Sequence, residues 1–162
     1  MSKLEFPRYI PFVEHLGMEL WALEDGKAEL RLNLQEAHMN SLLVAHGGVL
    51  MSLMDVAMAH AARSRALLHG DEGASDAADP LAAAAQGSGV VTIEMKTSFM
   101  RAAAGQLRAV GTLLHRTTTM AFCEASIFDP AGHLCAHSTG TFKYVRAVPG
   151  RFRAERKNQD SP

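Results

Sequence analysis

The segment from Val49 to Leu68 contains neither proline nor glycine and is composed largely of Leu, Met, Ala and Val. All of these residues are compatible with an α-helix. The first three turns are apolar on nearly every side, which is typical of a helix buried in a core rather than of one on a surface. We therefore expect one long buried helix, around which the rest of the chain has to be arranged.

Segments on both sides of this helix have the sequence pattern of β-strands. In Lys27–Leu34 every second residue is apolar and the residues between are polar. The other predicted strands are 18–23 before the helix and 90–100, 106–116, 118–129 and 133–146 after it. Two strands, one helix and four strands in a meander predict an α+β fold, in which an antiparallel sheet packs against a single helix.

The length of 162 residues and the hydrophobic content of 48% fit one domain with a substantial core. We assign residues 1–146 to this domain, with a short arm or helix at 1–16 and a polar tail at 147–162. Residues 70–89 are mostly small, and four acids fall within nine positions, so we expect a flexible acidic insertion there.

The charge balance and the N-terminus limit the classes of partner. Sixteen basic and seventeen acidic side chains nearly cancel, which argues against a dedicated nucleic-acid binder. The most apolar stretch, 42–62, is interrupted by His46, Asp55 and His60, so we expect no membrane span. The chain does not begin with an apolar run of signal-peptide length, and we expect a cytoplasmic protein.

The two cysteines, Cys123 and Cys135, lie on the two strands of the last predicted hairpin. If Phe128 pairs with His133 across the turn, Cys123 faces Ser138 and the two thiols are out of register for a disulfide. We expect both thiols to be reduced and buried.

The tripeptide His46-Gly47-Gly48 stands directly before the predicted helix. Glycines let a ligand come close to the backbone, and the first amides of a helix lack partners and lie at the positive end of its dipole. A carbonyl bound there would be polarised, and the oxyanion formed on attack would be stabilised. The alternative is a glycine-rich turn that only leads the chain into the helix, and the tripeptide alone does not decide between the two.

Asp55 lies in the most apolar part of the predicted helix. A buried carboxylate costs several kcal/mol unless it is paired or hydrogen-bonded, and aspartate is a poor helix former. Such a residue could be a general base acting on water or a nucleophile, with a pKa raised by its apolar surroundings. The alternative is a capped acid with a structural role.

Eight residues separate Gly47 from Asp55, which is about 12 Å along a helix. The helix start of one chain is therefore too far from its own acid for both to act on one bond. A two-fold dimer that brings the helix start of one chain beside Asp55 of the other would solve this geometry. The open edges of a six-stranded sheet also favour self-association.

The run His46-Gly47-Gly48-Val49-Leu50, followed by Leu53, Asp55 and Ala57, resembles the hotdog-fold thioesterases. It is most similar to the phenylacetate-pathway (PaaI-like) group, where an Asn precedes His-Gly-Gly and an Asp lies nine residues after the His. Here Asn40 lies six residues before His46, and the resemblance extends from about 11 to 146. It implies a hotdog fold, an antiparallel sheet wrapped around one long central helix, and acyl-CoA as the substrate.

The resemblance also implies roles for individual residues. The Gly47 amide would bind the thioester oxygen, and Asp55 of the partner chain would be base or nucleophile. Asn40 and His46 would orient the loop, the carbonyl or the water. Thr92 stands where the group often has a Ser or Thr that holds the attacking water, although a threonine there is also explained by β-propensity alone.

Further residues are predicted to bind the substrate. Gly48 would let it approach the backbone, and the basic residues Arg101, Lys143 and Arg146 would meet the phosphates of CoA. For each basic residue the alternative is a solvated surface charge. Ala102, next to Arg101, stands where the group often has a proline.

These observations predict an enzyme that hydrolyses medium-chain or aryl acyl-CoA to the free acid and CoA, with no metal and no other cofactor. It would act as a homodimer, with a dimer of dimers as a further assembly. One alternative is a hotdog hydratase or dehydratase, which would rely on a catalytic histidine paired with an acid. The other is a non-catalytic module that binds acyl-CoA and has no need of Asp55.

Overall fold

The computed structural model describes residues 2–69 and 89–145. Its elements are α1 (Pro11–His15), β1 (Glu19–Glu24), β2 (Lys27–Asn33), a 3-10 turn (Glu36–His38), α2 (Gly47–His69), β3 (Gly89–Phe99), β4 (Gln106–Arg116), β5 (Met120–Phe128) and β6 (Leu134–Val145). The predicted long helix and six strands are all present, with ends that differ by no more than two residues. The predicted tail and all of the predicted insertion except Gly89 lie outside the described residues.

The six strands form one antiparallel sheet in the order β1-β2-β4-β5-β6-β3. Their alternating apolar residues face α2, which packs against every strand of the sheet. This arrangement confirms the predicted α+β architecture with a sheet around one long helix. The predicted meander of the last four strands is wrong, because β3 pairs with β6 and not with β4. Of the strands that the structure describes, β3 lies at one edge of the sheet and pairs with β6 alone.

Helix and sheet approach each other closely at Gly111 on β4. A Cβ atom at this position would lie 2.5 Å from the carbonyl carbon and oxygen of Ala57 on α2. The backbone of the helix therefore rests directly on the backbone of β4. On the neighbouring side, a Cβ atom at Gly140 of β6 would lie 3.0 Å from the terminal methyl group of Met58.

A buried hydroxyl connects the first hairpin to the far half of α2. Ser64 Oγ accepts a hydrogen bond of 2.7 Å from the Gly26 amide and donates one of 2.8 Å to the Ala61 carbonyl. Gly26 has a φ of +77°, which a glycine adopts without strain. The Gly26 turn is thus fixed to the helix through a side chain that is completely buried.

The register of the last hairpin differs from the prediction. Phe128 pairs with Leu134 and not with His133, and a further register shift lies between Ile127 and Phe128, so Cys123 faces a glycine of β6 instead of the predicted serine. The Asp129 carboxylate explains the difference, because it accepts a hydrogen bond of 2.8 Å from the His133 amide and keeps that residue in the turn. Both cysteines are nevertheless free and buried, as expected.

In the described part of the chain, none of the helices combines the length and the apolar character that crossing a bilayer requires.

Candidate active site

His46 engages three of the first four amides of α2. Its Nδ1 accepts a hydrogen bond of 2.9 Å from the Gly48 amide. Its carbonyl accepts hydrogen bonds from the amides of Val49 (2.9 Å) and Leu50 (3.2 Å). Within residues 2–69 and 89–145 the Gly47 amide has no acceptor. At the positive end of the helix dipole, Gly47 therefore offers the one amide that can bind an anionic oxygen.

A backbone hydrogen bond fixes the position of His46. Its amide donates a hydrogen bond of 2.8 Å to the carbonyl of His38, a buried residue of the 3-10 turn. Because Nδ1 of His46 accepts a hydrogen bond, a neutral ring carries its proton on Nε2, which is free to donate. The described contacts of His46 are thus those of a helix cap. One of them already occupies the Gly48 amide.

Asn40 organises the loop that leads to this helix start. Its Oδ1 accepts hydrogen bonds from the amides of Leu42 (2.9 Å) and Val44 (3.4 Å). Within this loop Leu43 has a φ of +59°, a left-handed conformation that is rare for a leucine. Of the roles that the resemblance allows for Asn40, its contacts fit the orientation of the loop.

Three of the predicted residues meet at one groove of about 360 Å³. Asn40 comes from the loop, Gly47 from the start of α2, and Arg101 from the segment after β3. The other residues that line the groove are Val44, Ala45, Leu50, Phe99, Met100, Ala102 and Ala103. The Phe99 ring reaches Gly47, where a Cβ atom would lie 3.4 Å from Cζ of the ring. We call Asn40, Gly47, Phe99 and Arg101 the amide half-site.

Asp55 and Thr92 form a second group that does not line this groove. The Thr92 hydroxyl donates a hydrogen bond of 2.7 Å to the carboxylate of Asp55, which is half-buried on α2. Burial raises the pKa of Asp55 above its usual range, and the hydrogen bond from Thr92 opposes this with a smaller effect. We call these two residues the acid half-site.

The two half-sites of one protomer are well separated. Gly47 and Asp55 lie about 12 Å apart along the axis of α2. Thr92 and Phe99 lie on the same strand, about 23 Å apart at the rise of a β-strand. Neither element can bring the unpartnered amide of a protomer to the carboxylate of that same protomer.

The predicted CoA-binding residues are divided in the same way. Lys143 on β6 pairs with Val91 and so lies beside the acid half-site. Arg101 follows the other end of β3 and belongs to the amide half-site. Val91 and Phe99 are about 26 Å apart along β3, so Lys143 and Arg101 of one protomer cannot reach one phosphate group. Arg146 lies outside the described residues.

Phe99 is not among the residues that the sequence pattern indicates. An apolar residue at the end of a predicted strand suggests a core position, and only the strand order shows that this strand is an edge. The side chain is instead 51% exposed and lies against the start of α2.

Among the described residues there is no group of three His, Cys, Asp or Glu side chains arranged to hold a metal ion. The Nδ1 atom of the buried His60 already has a hydrogen-bonding partner, the Val56 carbonyl at 2.8 Å. Two expectations stay predictions: the reaction needs neither metal nor cofactor, and the protein is cytoplasmic.

Comparison with known proteins agrees with the fold and the sequence pattern. Residues 43–136 match the family described as the thioesterase superfamily. A conserved protein of Pseudomonas aeruginosa of known structure is 32% identical, with a TM-score of 0.69 over 85% of this chain and 95% of the other. No curated protein matches the chain significantly.

Two further structures are similar in fold. The PaaI protein from the phenylacetic acid degradation operon of E. coli has a TM-score of 0.69 at 19% identity, over 86% of this chain and 87% of the other. A thioesterase of Haemophilus influenzae has a TM-score of 0.67 at 20% identity, over 86% of each chain. With its six-stranded antiparallel sheet around one long helix, the hotdog fold, the chain belongs to the thioesterase superfamily.

Proposed function

We propose that the protein hydrolyses acyl-CoA thioesters, with medium-chain or aryl acyl groups, at a site shared by two protomers. The observation that carries this proposal is the separation of an unpartnered amide at Gly47 from a half-buried carboxylate at Asp55. Each half-site has one of the two functions that thioester hydrolysis needs. One half-site has a hydrogen-bond donor that can stabilise negative charge, and the other has a base or nucleophile.

The free edge of β3 supports such an assembly. Among the described residues no strand pairs with its outer side, and the side chains of Val91 and Ile93 on this strand are exposed. An open edge with apolar side chains pairs readily with a second strand. In an antiparallel pair with its two-fold axis at Lys96, the bulge between Thr92 and Glu94 brings Thr92 of one protomer opposite the partner's Phe99. The acid half-site of each protomer then lies beside the amide half-site of its partner.

The chemistry follows from this arrangement. The carbonyl oxygen of the thioester accepts a hydrogen bond from the Gly47 amide, and the partner's Asp55 takes a proton from water as the water attacks the carbonyl carbon. The tetrahedral intermediate collapses, the carbon–sulfur bond breaks, and the thiolate of CoA takes up the proton. Asp55 as a nucleophile would instead form an acyl anhydride, which water then hydrolyses.

The same pairing brings two cations together. Lys143 lies one strand in from the edge, next to Val91, and the partner's Met100 is opposite Val91 in the proposed register. Two strand spacings of about 4.8 Å therefore separate Lys143 from the partner's segment that carries Arg101. These two side chains, one from each protomer, are suited to the phosphates of one CoA.

Release of thiol from a panel of acyl-CoAs tests this proposal. The wild type should hydrolyse at least one medium-chain or aryl thioester, and Asp55→Asn should lose most of that activity. Asp25→Asn, the same change at an exposed turn, is the matched control and should remain active. Tight binding of acyl-CoA without turnover, or full activity of Asp55→Asn, would contradict the proposal.

A further inference from the structure

We propose that Phe99 is a positioning residue, which shields the Gly47 amide from water so that this amide binds the thioester oxygen. The inference rests on the proposed function and deepens it. It starts from the contact between the two residues, in which a Cβ atom on Gly47 would lie 3.4 Å from Cζ and 3.6 Å from Cε1 of the ring.

The backbone conformation of Gly47 does not require a glycine. Four glycines of the described residues have a positive φ, and Gly47 is not one of them. Any residue could therefore adopt its conformation. A Cβ atom at position 47 would be in ordinary van der Waals contact with the edge of the Phe99 ring, so the ring lies directly against the first helical residue.

Within one protomer the ring is only partly packed. On the inner side of β3, Phe99 pairs with the small Ala136 of β6, yet half of the phenyl surface stays exposed to solvent. A phenyl group left half-exposed at the end of an edge strand contributes less to folding than a buried one. The ring does lie against the residue whose amide has no acceptor among the described residues.

Covering this amide has a physical consequence. A hydrogen-bond donor is a stronger stabiliser of negative charge when water is excluded from around it. In the proposed dimer, the free face of the ring also borders the partner's Thr92, so that the carbonyl enters between ring and acid half-site. Phe99 thereby restricts the approach of the thioester to the side of Gly47 on which attack takes place.

The test compares Phe99→Ala, which removes the cover, with Phe99→Leu, which keeps most of it. We expect Phe99→Ala to lower kcat about tenfold with KM changed by less than about threefold, because the effect acts on the transition state. Phe99→Leu should keep most of kcat. Leu114→Ala, at an equally exposed apolar side chain of β4, is the control and should leave both constants unchanged.

A second variant makes the test independent of folding. In the double variant Gly47→Ala with Phe99→Ala, the added methyl group occupies part of the space that the ring has left, and kcat should exceed that of Phe99→Ala alone. An unchanged kcat in Phe99→Ala, or a raised KM with normal kcat, would overturn the inference while thioesterase activity stands. A wild type that hydrolyses no acyl-CoA would instead refute the proposed function itself.

Discussion

The Thr92 hydroxyl donates a hydrogen bond of 2.7 Å to the Asp55 carboxylate and so connects the edge strand β3 to the central helix α2. Hydrogen bonding to the charged form keeps the pKa of Asp55 below the level that burial alone would produce. The two residues are 37 positions apart in the chain. Their contact is the one that ties the proposed base to the strand at the proposed dimer interface.

Removal of this hydrogen bond should shift the pH profile. In Thr92→Val the pKa of Asp55 should rise further, because burial still acts and the opposing hydrogen bond is lost. The base must be ionised to act, so the acidic limb of kcat/KM should move to higher pH. Thr97→Val removes a hydroxyl from the same strand and should leave this limb in place. An unmoved limb in Thr92→Val would show that the limb does not report Asp55.

Asp55→Asn should stabilise the protein at neutral pH. A carboxyl group whose folded pKa is raised contributes stability below its unfolded pKa, and this is lost as the pH rises through the folded value. At pH 7, above the unfolded pKa, the carboxyl group has therefore lost stability that a neutral amide does not lose. Thermal unfolding should give a higher Tm for the variant at pH 7. The difference should shrink towards the unfolded pKa of about 4; a difference independent of pH would contradict this explanation.

Two inactive variants should restore activity when they are mixed. Gly47→Pro removes the unpartnered amide, and proline is well tolerated at the first position of a helix. After subunit exchange with Asp55→Asn, half of the dimers are mixed, and each contains one site with both changes and one with neither. About one quarter of the wild-type activity should return. No recovery, despite mass-spectrometric evidence of mixed dimers, would place the whole site within one chain.

Arg101 and Lys143, which lie beside opposite ends of β3, should matter only for a substrate that carries phosphates. Arg101→Ala and Lys143→Ala should each raise KM for acyl-CoA about twofold to fivefold, as expected for exposed charges. KM for the N-acetylcysteamine thioester of the same acid should stay unchanged. Lys27→Ala, at an exposed position on β2, serves as the control. Equal effects on both thioesters would show that the two residues do not contact the phosphates.

Gly111 should be among the positions least tolerant of substitution. In Gly111→Ala the new methyl group would lie 2.5 Å from the Ala57 backbone, and relief requires movement of the helix. We expect a loss of about 1–3 kcal/mol in the free energy of unfolding, measured with urea. Gly140→Ala is the matched comparison, and its cost should be smaller because the nearest atoms belong to side chains, the end of Met58 and the ring of Phe142, each at 3.0 Å, and not to backbone. Equal losses would argue against the backbone contact as the cause.

The elements of this fold are predictable from the sequence because each has a local signal. The helix is marked by its uninterrupted apolar residues, and the strands by their alternation. Asp55 stands out because a carboxylate in such a helix is energetically unfavourable without a partner. Thr92 was indicated by resemblance alone, and the structure places its hydroxyl on Asp55.

Other features depend on tertiary geometry and have no local signal. The choice between Gly47 and Gly48 is made by a single ring nitrogen of His46, which engages one amide and leaves the other. Phe99 is typical of a core residue until the strand order is known. The register of the last hairpin depends on how many residues the Asp129 carboxylate holds in the turn.

The edge position of β3 has a consequence for how the activity depends on protein concentration. Thr92 and Phe99 lie near opposite ends of this strand, so in the proposed dimer each copy of β3 borders both sites. Dilution that separates the copies would abolish turnover while every chain keeps its fold. Specific activity should then fall with dilution before circular dichroism reports any loss of structure, and a saturating ligand that bridges two chains should delay that fall.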